Sequence, residues 1–485
     1  MKSRQAPTMT AGFTPPEPQA VTALQDITGS GGWRTGADMA RYFEDPRGRF
    51  TGQAALVLLP DTVETVANIV RYCAAQKIGI IPYSGGTGVV AGQLSPDSPH
   101  AVIVSLERMN KVRELSVEDG VLVAEAGCIL QDIHARAEQE NMIFPLSMAS
   151  KGSCCIGGNL ATNAGGIQVL RHGNARDLCI GVEAVLPDGS ILHELSPLRK
   201  NNTGYDLRHL LIGSEGTLGI ITAASLVLKP RDPESVTVFC AIRDHSDGVK
   251  LYKELRASLG ESLSAFELMS GFGVNLVRSH FPKLPKPFAK NHPWHLLLQF
   301  DGPTGLNDKV EEVLGRMFEE SLLVDAVVAQ SETQSEDLWA LRENTPEANR
   351  MEGAFCSSDT SVPIRKIGQF VNETKAALHD IHAGLRINTY GHIGDGNIHH
   401  NVFAPDGITK GEFIQAHPDI IDAVRMAINE VTHRNGGSIS AEHGIGRLKA
   451  ADLESYASSA KQNALRSIKN ALDPFNIMNP GALIR

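Results

Sequence analysis

The sequence lacks the features that mark several classes of protein. Its seven cysteines show no CxxC spacing, which excludes a cysteine-ligated iron–sulfur cluster within the chain. Scattered cysteines, with Cys154 and Cys155 adjacent, fit a reducing compartment, so we expect a cytoplasmic protein. We expect no integral membrane segment, because no apolar run is long enough to span a bilayer. The net charge of -10 argues against nucleic acid as a partner.

Length and composition predict a globular protein of several domains. A chain of 485 residues with 42% hydrophobic content should form two or three domains with ample cores. Residues 1–44 are predicted as a leader and N-terminal segment, rich in Pro, Thr and Ala and disordered up to about residue 20.

Hydrophobic periodicity predicts mixed secondary structure. Between about residues 50 and 230, helical patterns alternate with apolar strands at 78–82, 101–104, 121–124 and 182–186. Asp61 and Glu64 are predicted to cap the first of these helices. The proline-rich stretch 229–233 indicates a domain boundary. Beyond it we predict a strand at 294–300 and helices at 420–435 and 456–472, which makes the fold class α+β.

One glycine-rich segment matches a dinucleotide fingerprint but lacks its helix. Gly86-x-Gly88-x-x-Ala91 follows a predicted strand, and Glu107 stands where a ribose-binding acid belongs. The fingerprint requires a helix directly after the glycines, and Pro96 and Pro99 come too soon to allow one. We therefore expect no Rossmann site. The glycines are better explained as a nest of backbone N–H groups that binds phosphate oxygens.

Two more segments have the same character. Residues 151–166 read KGSCCIGGNLATNAGG, and residues 202–207 with 213–220 again combine glycine with short polar side chains. Their backbone amides and small hydroxyl or amide groups suit the binding of a large polar cofactor. One such segment alone is as well explained by a structural loop. Three in one domain favour a cofactor.

A histidine pair and a distant carboxylate form the candidate metal site. His392 and His399 flank Gly394-Asp395-Gly396, a turn that brings its two sides together. Glu442 lies among small residues at 440–446. Two histidines, one carboxylate and an open position suit a catalytic Zn²⁺, with Mn²⁺, Co²⁺ or Fe²⁺ as alternatives. Asp395 is better explained as the turn former. Turn histidines bonded to neighbouring carbonyls are the plainer interpretation, which the Glu442-His443 element disfavours.

Together these motifs resemble a known flavoprotein family. The three glycine-rich segments resemble the FAD-binding (PCMH-type) domain of the vanillyl-alcohol oxidase fold. The segments GHIGDGNIHH, from residue 391, and AEHG, from residue 441, resemble its D-2-hydroxyacid dehydrogenase branch, nearest to the D-2-hydroxyglutarate dehydrogenases. The resemblance extends from about residue 45 to the C-terminus. It implies an FAD-binding domain at 45–231, an α+β substrate (cap) domain at 232–415, and a C-terminal helical segment at 416–485 that carries the metal motif and returns to the flavin.

The resemblance also implies which residues contact FAD. They are Ser84, Gly85, Gly86, Thr87, Gly88, Pro145, Leu146, Gly152, Ser153, Gly157, Gly158, Asn159, Thr162, Asn163, Ile220 and Asn479. Some relatives bind flavin covalently through a histidine in the first glycine loop. Thr87 stands at that position, so we expect non-covalent FAD.

By the same resemblance, the reaction is oxidation of a small D-2-hydroxy acid to the 2-oxo acid. The metal is assigned to His392, His399 and Glu442, and His443 is the general base. Successive side chains of extended backbone point to opposite sides, which agrees with separate roles for Glu442 and His443. Arg342 and Asn401 are expected to bind the substrate.

Two residues depart from the relatives' pattern and leave the substrate open. Pro346 replaces a threonine and Ser357 a basic residue, both of which face substrate in the relatives. Arg365 and Lys366 lie nearby and are candidates to compensate. A 2-hydroxyglutarate-like acid, lactate and malate are the alternatives.

The electron acceptor and the assembly also stay open. The family suggests an electron-transfer flavoprotein or a quinone-linked carrier rather than NAD. The alternatives are an oxygen-using flavin oxidase, or a flavin-binding subunit of a multi-chain glycolate or D-lactate oxidase complex. A homodimer is the oligomeric state to test.

Overall fold

The computed structural model describes residues 15–95 and 100–484. The first fourteen residues of the predicted leader, and Pro96 and Pro99, lie outside them. The helices are α1 (Pro18–Thr28), α2 (Val63–Gln76), α3 (Leu130–Glu138), α4 (Ile156–Ala161), α5 (Val169–His172), α6 (Arg208–Leu211), α7 (His245–Leu259), α8 (Gly271–His280), α9 (Leu306–Glu319), α10 (Glu332–Glu343), α11 (Thr345–Glu352), α12 (Ile367–Ile381), α13 (Lys410–Ala416), α14 (Ile420–Arg434), α15 (Ala450–Tyr456) and α16 (Ser459–Leu472).

The strands are β1 (Trp33–Arg34), β2 (Leu56–Leu58), β3 (Gly79–Tyr83), β4 (Ala101–Ser105), β5 (Val112–Ser116), β6 (Val121–Glu125), β7 (Met142–Ile143), β8 (Cys179–Val185), β9 (Ile191–Glu194), β10 (Ile220–Val227), β11 (Lys229–Pro230), β12 (Glu234–Ile242), β13 (Leu263–Ser270), β14 (Trp294–Gly302), β15 (Asp325–Val328), β16 (Cys356–Ser357), β17 (Thr360–Ser361), β18 (Arg386–His392) and β19 (Asn397–Phe403). Short 3-10 turns occupy Gly36–Phe43, Gly260–Ser262 and Ile364–Lys366.

The described residues form two compact units. The first comprises the chain up to Gly166, Gly173–Arg231 and the C-terminal stretch from Glu442. The second comprises Ile167–His172 and Asp232–Ala441. The domain boundaries given by the sequence stay predictions.

The first unit contains two main sheets. In the smaller sheet, of order β1-β2-β4-β3, strands β2, β4 and β3 run parallel. Strands β2 and β4 are buried along their whole length, as parallel strands covered on both faces should be. The larger sheet is antiparallel, with order β5-β6-β10-β8-β9. The C-terminal stretch joins the smaller sheet, because Ile80 donates to Ile477 O and Asn479 to Ile80 O.

The second unit is built on one large antiparallel sheet of order β15-β12-β14-β13-β18-β19-β16, and β17 also pairs with β19. One face packs on α7, α9 and α12 through a core that includes Leu268, Leu298 and Phe370. The other face packs on α8 and α10 through Phe239, Met269 and Leu341. Part of this second face carries polar side chains instead, and these form the candidate site described below.

The sequence predictions hold for element type, and the α+β class is confirmed. Two details were wrong. Thr62, not Asp61, caps α2, with its side chain accepting from Thr65 N–H, while Asp61 binds Arg108. The helix predicted from residue 456 begins at Ser459, because the Ser458 side chain caps it, and Tyr456 ends the preceding helix α15. Among the described residues, no helix has the length and apolarity to cross a membrane.

Candidate active site

The first glycine loop packs directly against the second in the first unit. The Ser84 Oγ accepts a hydrogen bond from Gly158 N–H at 3.1 Å. A Cβ at Gly85 would lie 2.3 Å from Ser153 O, so only glycine allows this approach. Within 84–95, the described part of this segment, no helix follows the glycines. The helix that a Rossmann site requires after its glycines therefore does not begin before the end of this described stretch, at Ser95.

The second glycine segment opens helix α4 and buries an amide. Gly157 donates to Ala126 O at 2.8 Å, and a Cβ at this position would clash with Ala126. Asn159 is buried, and its Oδ1 has no hydrogen-bond partner among the described residues. A buried acceptor of this kind normally has a partner. An unpaired Asn159 Oδ1 beside closely packed glycines fits a bound polar cofactor.

A cavity of about 480 Å³ opens beside these loops. Four of its lining residues, Ser84, Gly85, Gly152 and Ser153, were predicted to contact FAD. The other lining residues are not among the predicted FAD contacts, although Glu107 and Cys155 lie in or near the glycine-rich segments noted in the sequence; they are Arg41, Tyr42, Tyr83, Glu107, Asn110, Gly127, Ile129, Asp132 and Cys155. Glu107 accepts from Arg41 at 2.6 Å and from the Tyr42 hydroxyl at 3.0 Å.

The other predicted FAD residues also lie in the first unit. Pro145, Leu146 and Ile220 are buried. The Asn163 side chain accepts from Arg176 N–H at 3.0 Å, and the Thr162 hydroxyl donates to Gly158 O at 3.0 Å. Their contacts with FAD stay predictions, as do those of Gly86, Thr87 and Gly88.

Asn479 links the C-terminal stretch to the glycine loops. Its Nδ2 donates to Gly92 O at 2.9 Å and to Glu215 O at 2.7 Å, and its Oδ1 accepts from Arg447 at 2.8 Å. Both polar atoms of this side chain therefore bind protein groups. Both N–H donors of Nδ2 are used in this way, so a hydrogen bond from Asn479 to FAD would use the second lone pair of Oδ1 or the backbone.

A buried carboxylate fixes the loop that follows Glu442 and His443. Glu215 accepts the N–H groups of Ile445 at 2.7 Å and Gly446 at 2.6 Å. Burial raises the pKa of Glu215, although these two hydrogen bonds lower it. A Cβ at Gly444 would lie 2.8 Å from Glu215 Oε1. The backbone after His443 is thus held from inside the first unit.

In the second unit, strand alternation brings the predicted histidine pair to one face of the sheet. Strands β18 and β19 pair with Tyr390 opposite His399. Because every second side chain shares a face, His392, Tyr390, His399 and Asn401 lie on the same side. His400 points the other way and packs on Phe370, where burial lowers its pKa to about 3.

Asp395 forms the turn between these two strands, as the sequence predicted. The Asp395 side chain accepts from Asn397 N–H at 3.1 Å, and Gly396 has a φ of 89°. This is the hydrogen bond of an Asx turn.

Glu267 binds two of the predicted site residues at once. It stands opposite His392 in the pairing of β13 with β18 and is fully buried. One oxygen bonds His392 Nδ1, and the other accepts from Arg342 Nε at 2.6 Å. Burial alone would raise the pKa of Glu267, but the charge of His392, when this histidine is protonated, and that of Arg342, together with their hydrogen bonds, lower it to about 2.

His399 also has an oxygen acceptor at Nδ1, in this case a backbone carbonyl. Its Nδ1 bonds Ser358 O at 3.2 Å, and the side chain is buried. In both histidines Nδ1 faces an oxygen acceptor, so the neutral ring carries its lone pair on Nε2. A ring nitrogen of His392 lies within 4.8 Å of one of His399. This pair fits a metal that takes imidazole nitrogen ligands.

Arg342 and Asn401 complete the polar face. Arg342 is buried in α10, and its guanidinium lies 4.8 Å from the centre of the Tyr390 ring. Asn401 is 4% exposed, and its Nδ2 donor has no partner among the described residues.

The two residues that depart from the relatives' pattern, Pro346 and Ser357, are both exposed, and Ser357 pairs with Asn401 across β16 and β19. Arg365 is exposed, and Lys366 binds Gln369 at 2.8 Å.

Glu442 and His443 belong to the first unit by their packing. Ala441, the last residue of the second unit before them, donates its N–H to Asp359 O at 3.4 Å. Asp359 is the neighbour of Ser358, which holds His399.

Two family models match separate parts of the chain and together cover most of it. The FAD binding domain matches residues 54–194, and the C-terminal domain of the FAD linked oxidases matches residues 231–483. The chain belongs to the FAD-linked oxidase family. It is therefore an FAD-linked oxidoreductase, and the predicted family, enzyme class and FAD cofactor are confirmed.

Individual relatives agree with this assignment. A mitochondrial D-2-hydroxyglutarate dehydrogenase of Arabidopsis thaliana is 37% identical over 89% of this chain and 75% of its own length. A D-2-hydroxyglutarate dehydrogenase of Xanthomonas citri pv. viticola is 36% identical over 92% of this chain and 93% of its own. The crystal structure of p-cresol methylhydroxylase with substrate bound has a TM-score of 0.73 at 17% identity, covering 96% of both chains. This likeness confirms the predicted PCMH-type fold.

The prediction of a cytoplasmic location was wrong. The Arabidopsis relative and further plant, animal and yeast relatives are mitochondrial proteins by name. Reduced cysteines, on which the prediction rested, do not separate one reducing compartment from another.

Sequence reasoning missed Glu267 and the carbonyl of Ser358. A signal for Glu267 exists, because it is the only charged residue in the strand Leu263–Ser270, all of which is buried. An acid inside such a strand needs partners. A backbone carbonyl such as that of Ser358 leaves no signal in a sequence.

Proposed function

We propose that this protein oxidises a D-2-hydroxy acid to the 2-oxo acid with FAD and a divalent metal ion. The observation that carries the proposal is the polar face of β18 and β19. There two buried imidazoles have Nδ1 bound to oxygen acceptors, beside a buried arginine and an unpartnered amide donor. The relatives named D-2-hydroxyglutarate dehydrogenase support the substrate class.

The metal would be held by His392, His399 and Glu442. Nitrogen and carboxylate ligands in this number suit Zn²⁺, with Mn²⁺, Co²⁺ or Fe²⁺ as alternatives. A divalent ion in such a site supplies a Lewis acid that lowers the pKa of an alcohol. FAD, when bound, supplies the acceptor for the hydride, and its binding residues are proposed to be those predicted above.

The remaining steps belong to side chains of the chain itself. Arg342 would bind the substrate carboxylate through charge-assisted hydrogen bonds, and Asn401 Nδ2 would donate a further one. His443 would accept the hydroxyl proton, which an imidazole does well near neutral pH. Glu215 would keep the His443 loop in place through Ile445 and Gly446.

The electrons would pass to a carrier other than NAD. The glycine loop has no following helix up to Ser95, which disfavours a nicotinamide site there. Turnover with an artificial dye but not with NAD⁺ is the expected result for the purified chain.

Chelation tests the proposal directly. The reductive half-reaction is followed anaerobically with D-lactate, D-malate and D-2-hydroxyglutarate, and their L-enantiomers serve as controls. A chelator should abolish flavin reduction while leaving the visible FAD spectrum intact, and added Zn²⁺ or Mn²⁺ should restore it. A chelated enzyme that still reduced its flavin at the full rate would refute the role of the metal.

Variants separate the individual roles. His392→Ala and Glu442→Ala should behave like the chelated enzyme. His443→Ala should keep its metal and lose about 10²–10⁴-fold in rate, the usual share of a general base. The exposed His417 provides a control, and His417→Ala should keep full activity.

A further inference from the structure

Glu267 occupies an unusual position in the second unit. Its carboxylate is fully buried in β13, where every other residue is apolar or a serine. Its two oxygens serve two different residues, His392 through Nδ1 and Arg342 through Nε at 2.6 Å. A buried charge is costly unless it is paired and hydrogen-bonded, and here both oxygens are used.

We infer that Glu267 is a positioning residue that orients a metal ligand, His392, and the substrate-binding Arg342 together. This inference rests on the proposed function. In the proposed mechanism Glu267 contacts neither the substrate nor the metal, and it acts only through His392 and Arg342.

The effect on His392 follows from the chemistry of imidazole. A carboxylate at Nδ1 keeps the proton on that nitrogen and leaves the lone pair on Nε2, where a metal can use it. Such an acceptor also fixes the ring plane and makes the ligand more basic. The strand register supports this role, because Glu267 and His392 are directly opposed in the sheet.

The effect on Arg342 follows from the shape of guanidinium. Glu267 accepts from Nε, so a substrate carboxylate would be bound through the terminal Nη1 and Nη2 groups. The Tyr390 ring, 4.8 Å from the guanidinium carbon, supports the same plane from one face. Glu267 thereby sets both the orientation of the Arg342 guanidinium and the tautomer of His392.

The substitution Glu267→Gln tests this with little change in shape. An amide offers one acceptor and one donor, so it cannot serve both Arg342 Nε–H and His392 Nδ1–H. We expect the affinity for Zn²⁺, measured by competition with a chromophoric chelator, to fall about 10–100-fold. We also expect KM for the D-2-hydroxy acid to rise about tenfold or more, as when a charge-assisted hydrogen bond is lost.

Two further variants separate positioning from folding. Glu267→Asp keeps the charge and should recover part of the Zn²⁺ affinity. Glu183→Gln is the matched control, because Glu183 is also a buried strand carboxylate, ion-paired with Arg113 at 3.1 Å in the first unit. It should leave Zn²⁺ affinity and KM unchanged. FAD content and thermal unfolding of each variant report on folding.

The possible outcomes are distinguishable. If wild-type protein binds no stoichiometric metal, the proposed function fails. If wild-type protein binds metal and Glu267→Gln matches it in Zn²⁺ affinity and KM, this inference is overturned. Loss of thermal stability in Glu267→Gln with unchanged Zn²⁺ affinity and KM means a purely structural role, which also overturns it.

Discussion

At the scale of single residues, the buried amide of Asn401 destabilises the unliganded protein, and a bound substrate would remove this destabilisation. Its Nδ2 is buried without a partner among the described residues. A buried donor left unsatisfied costs about 1–3 kcal/mol, so the unliganded site is less stable than an apolar one. Binding of a carboxylate at this donor would recover part of that free energy.

Asn401→Leu should therefore raise KM and not reduce stability. We expect KM for the D-2-hydroxy acid to rise about tenfold, and the free energy of unfolding to stay equal or increase by about 1 kcal/mol. Steady-state kinetics and urea unfolding measure the two effects. An unchanged KM together with a loss of stability would mean that Asn401 serves the fold and not the substrate.

At the scale of elements, the pairing of β18 with β19 decides which histidines can act. Adjacent residues of a strand serve opposite faces, so His399 joins the polar face while His400 joins the core. A shift of one residue in the register would exchange the two. The turn at Asp395 fixes the register in which Tyr390 lies opposite His399.

Helices α12 and α14 are joined by a carboxylate on one side of this sheet. Glu373 accepts from Gln369 at 2.7 Å, Asn435 at 2.9 Å and Arg434 at 3.0 Å. These hydrogen bonds lower the pKa of Glu373 from 4.5 to about 2. A lowered pKa in the folded state means that the stabilisation is present above the unfolded pKa and is lost as pH falls through the folded one.

Glu373→Gln should thus destabilise the protein near neutral pH, by roughly 0.5–1 kcal/mol because solvent screens this pair. The difference from wild type should shrink as pH falls from about 4.5 towards about 2. Urea unfolding of both proteins at a series of pH values measures it. A difference that stayed constant from pH 7 to pH 3 would contradict the ionic origin.

At the scale of the whole molecule, the chain returns to its first unit after completing the second. Lys469 in α16 donates to Thr217 O at 2.8 Å, Met478 O at 2.8 Å and Asp473 at 2.5 Å. Burial lowers the pKa of Lys469, although Asp473 acts in the opposite direction. These contacts hold the stretch up to Asn479 beside β3 and the glycine loops.

The purified protein should be yellow, with FAD that denaturation releases. The family resemblance places Thr87 where some relatives carry the histidine that bonds flavin, and on that ground we expect non-covalent FAD. Acid precipitation should leave the flavin fluorescence in the supernatant, and an SDS gel under ultraviolet light should show no fluorescent band. Flavin in the precipitated polypeptide would contradict non-covalent binding.

The sequence by itself determined the fold family, the FAD cofactor and the class of chemistry. These depend on local patterns, namely glycines that allow close backbone approach and a turn that brings two histidines together. It also indicated the main strands, because buried parallel strands are continuous apolar runs. It did not determine the compartment, since scattered free cysteines fit more than one.

Only the tertiary structure decided how the candidate site residues are supported. Glu267 lies 125 positions before His392 and 75 before Arg342, and Ser358 lies 41 before His399. Such partners are set by strand pairing and helix packing between distant segments, which leave no spacing to find in a sequence. The unpaired atoms of Asn159 and Asn401 are likewise properties of burial, because an amide is unsatisfied only once the surrounding chain has excluded water.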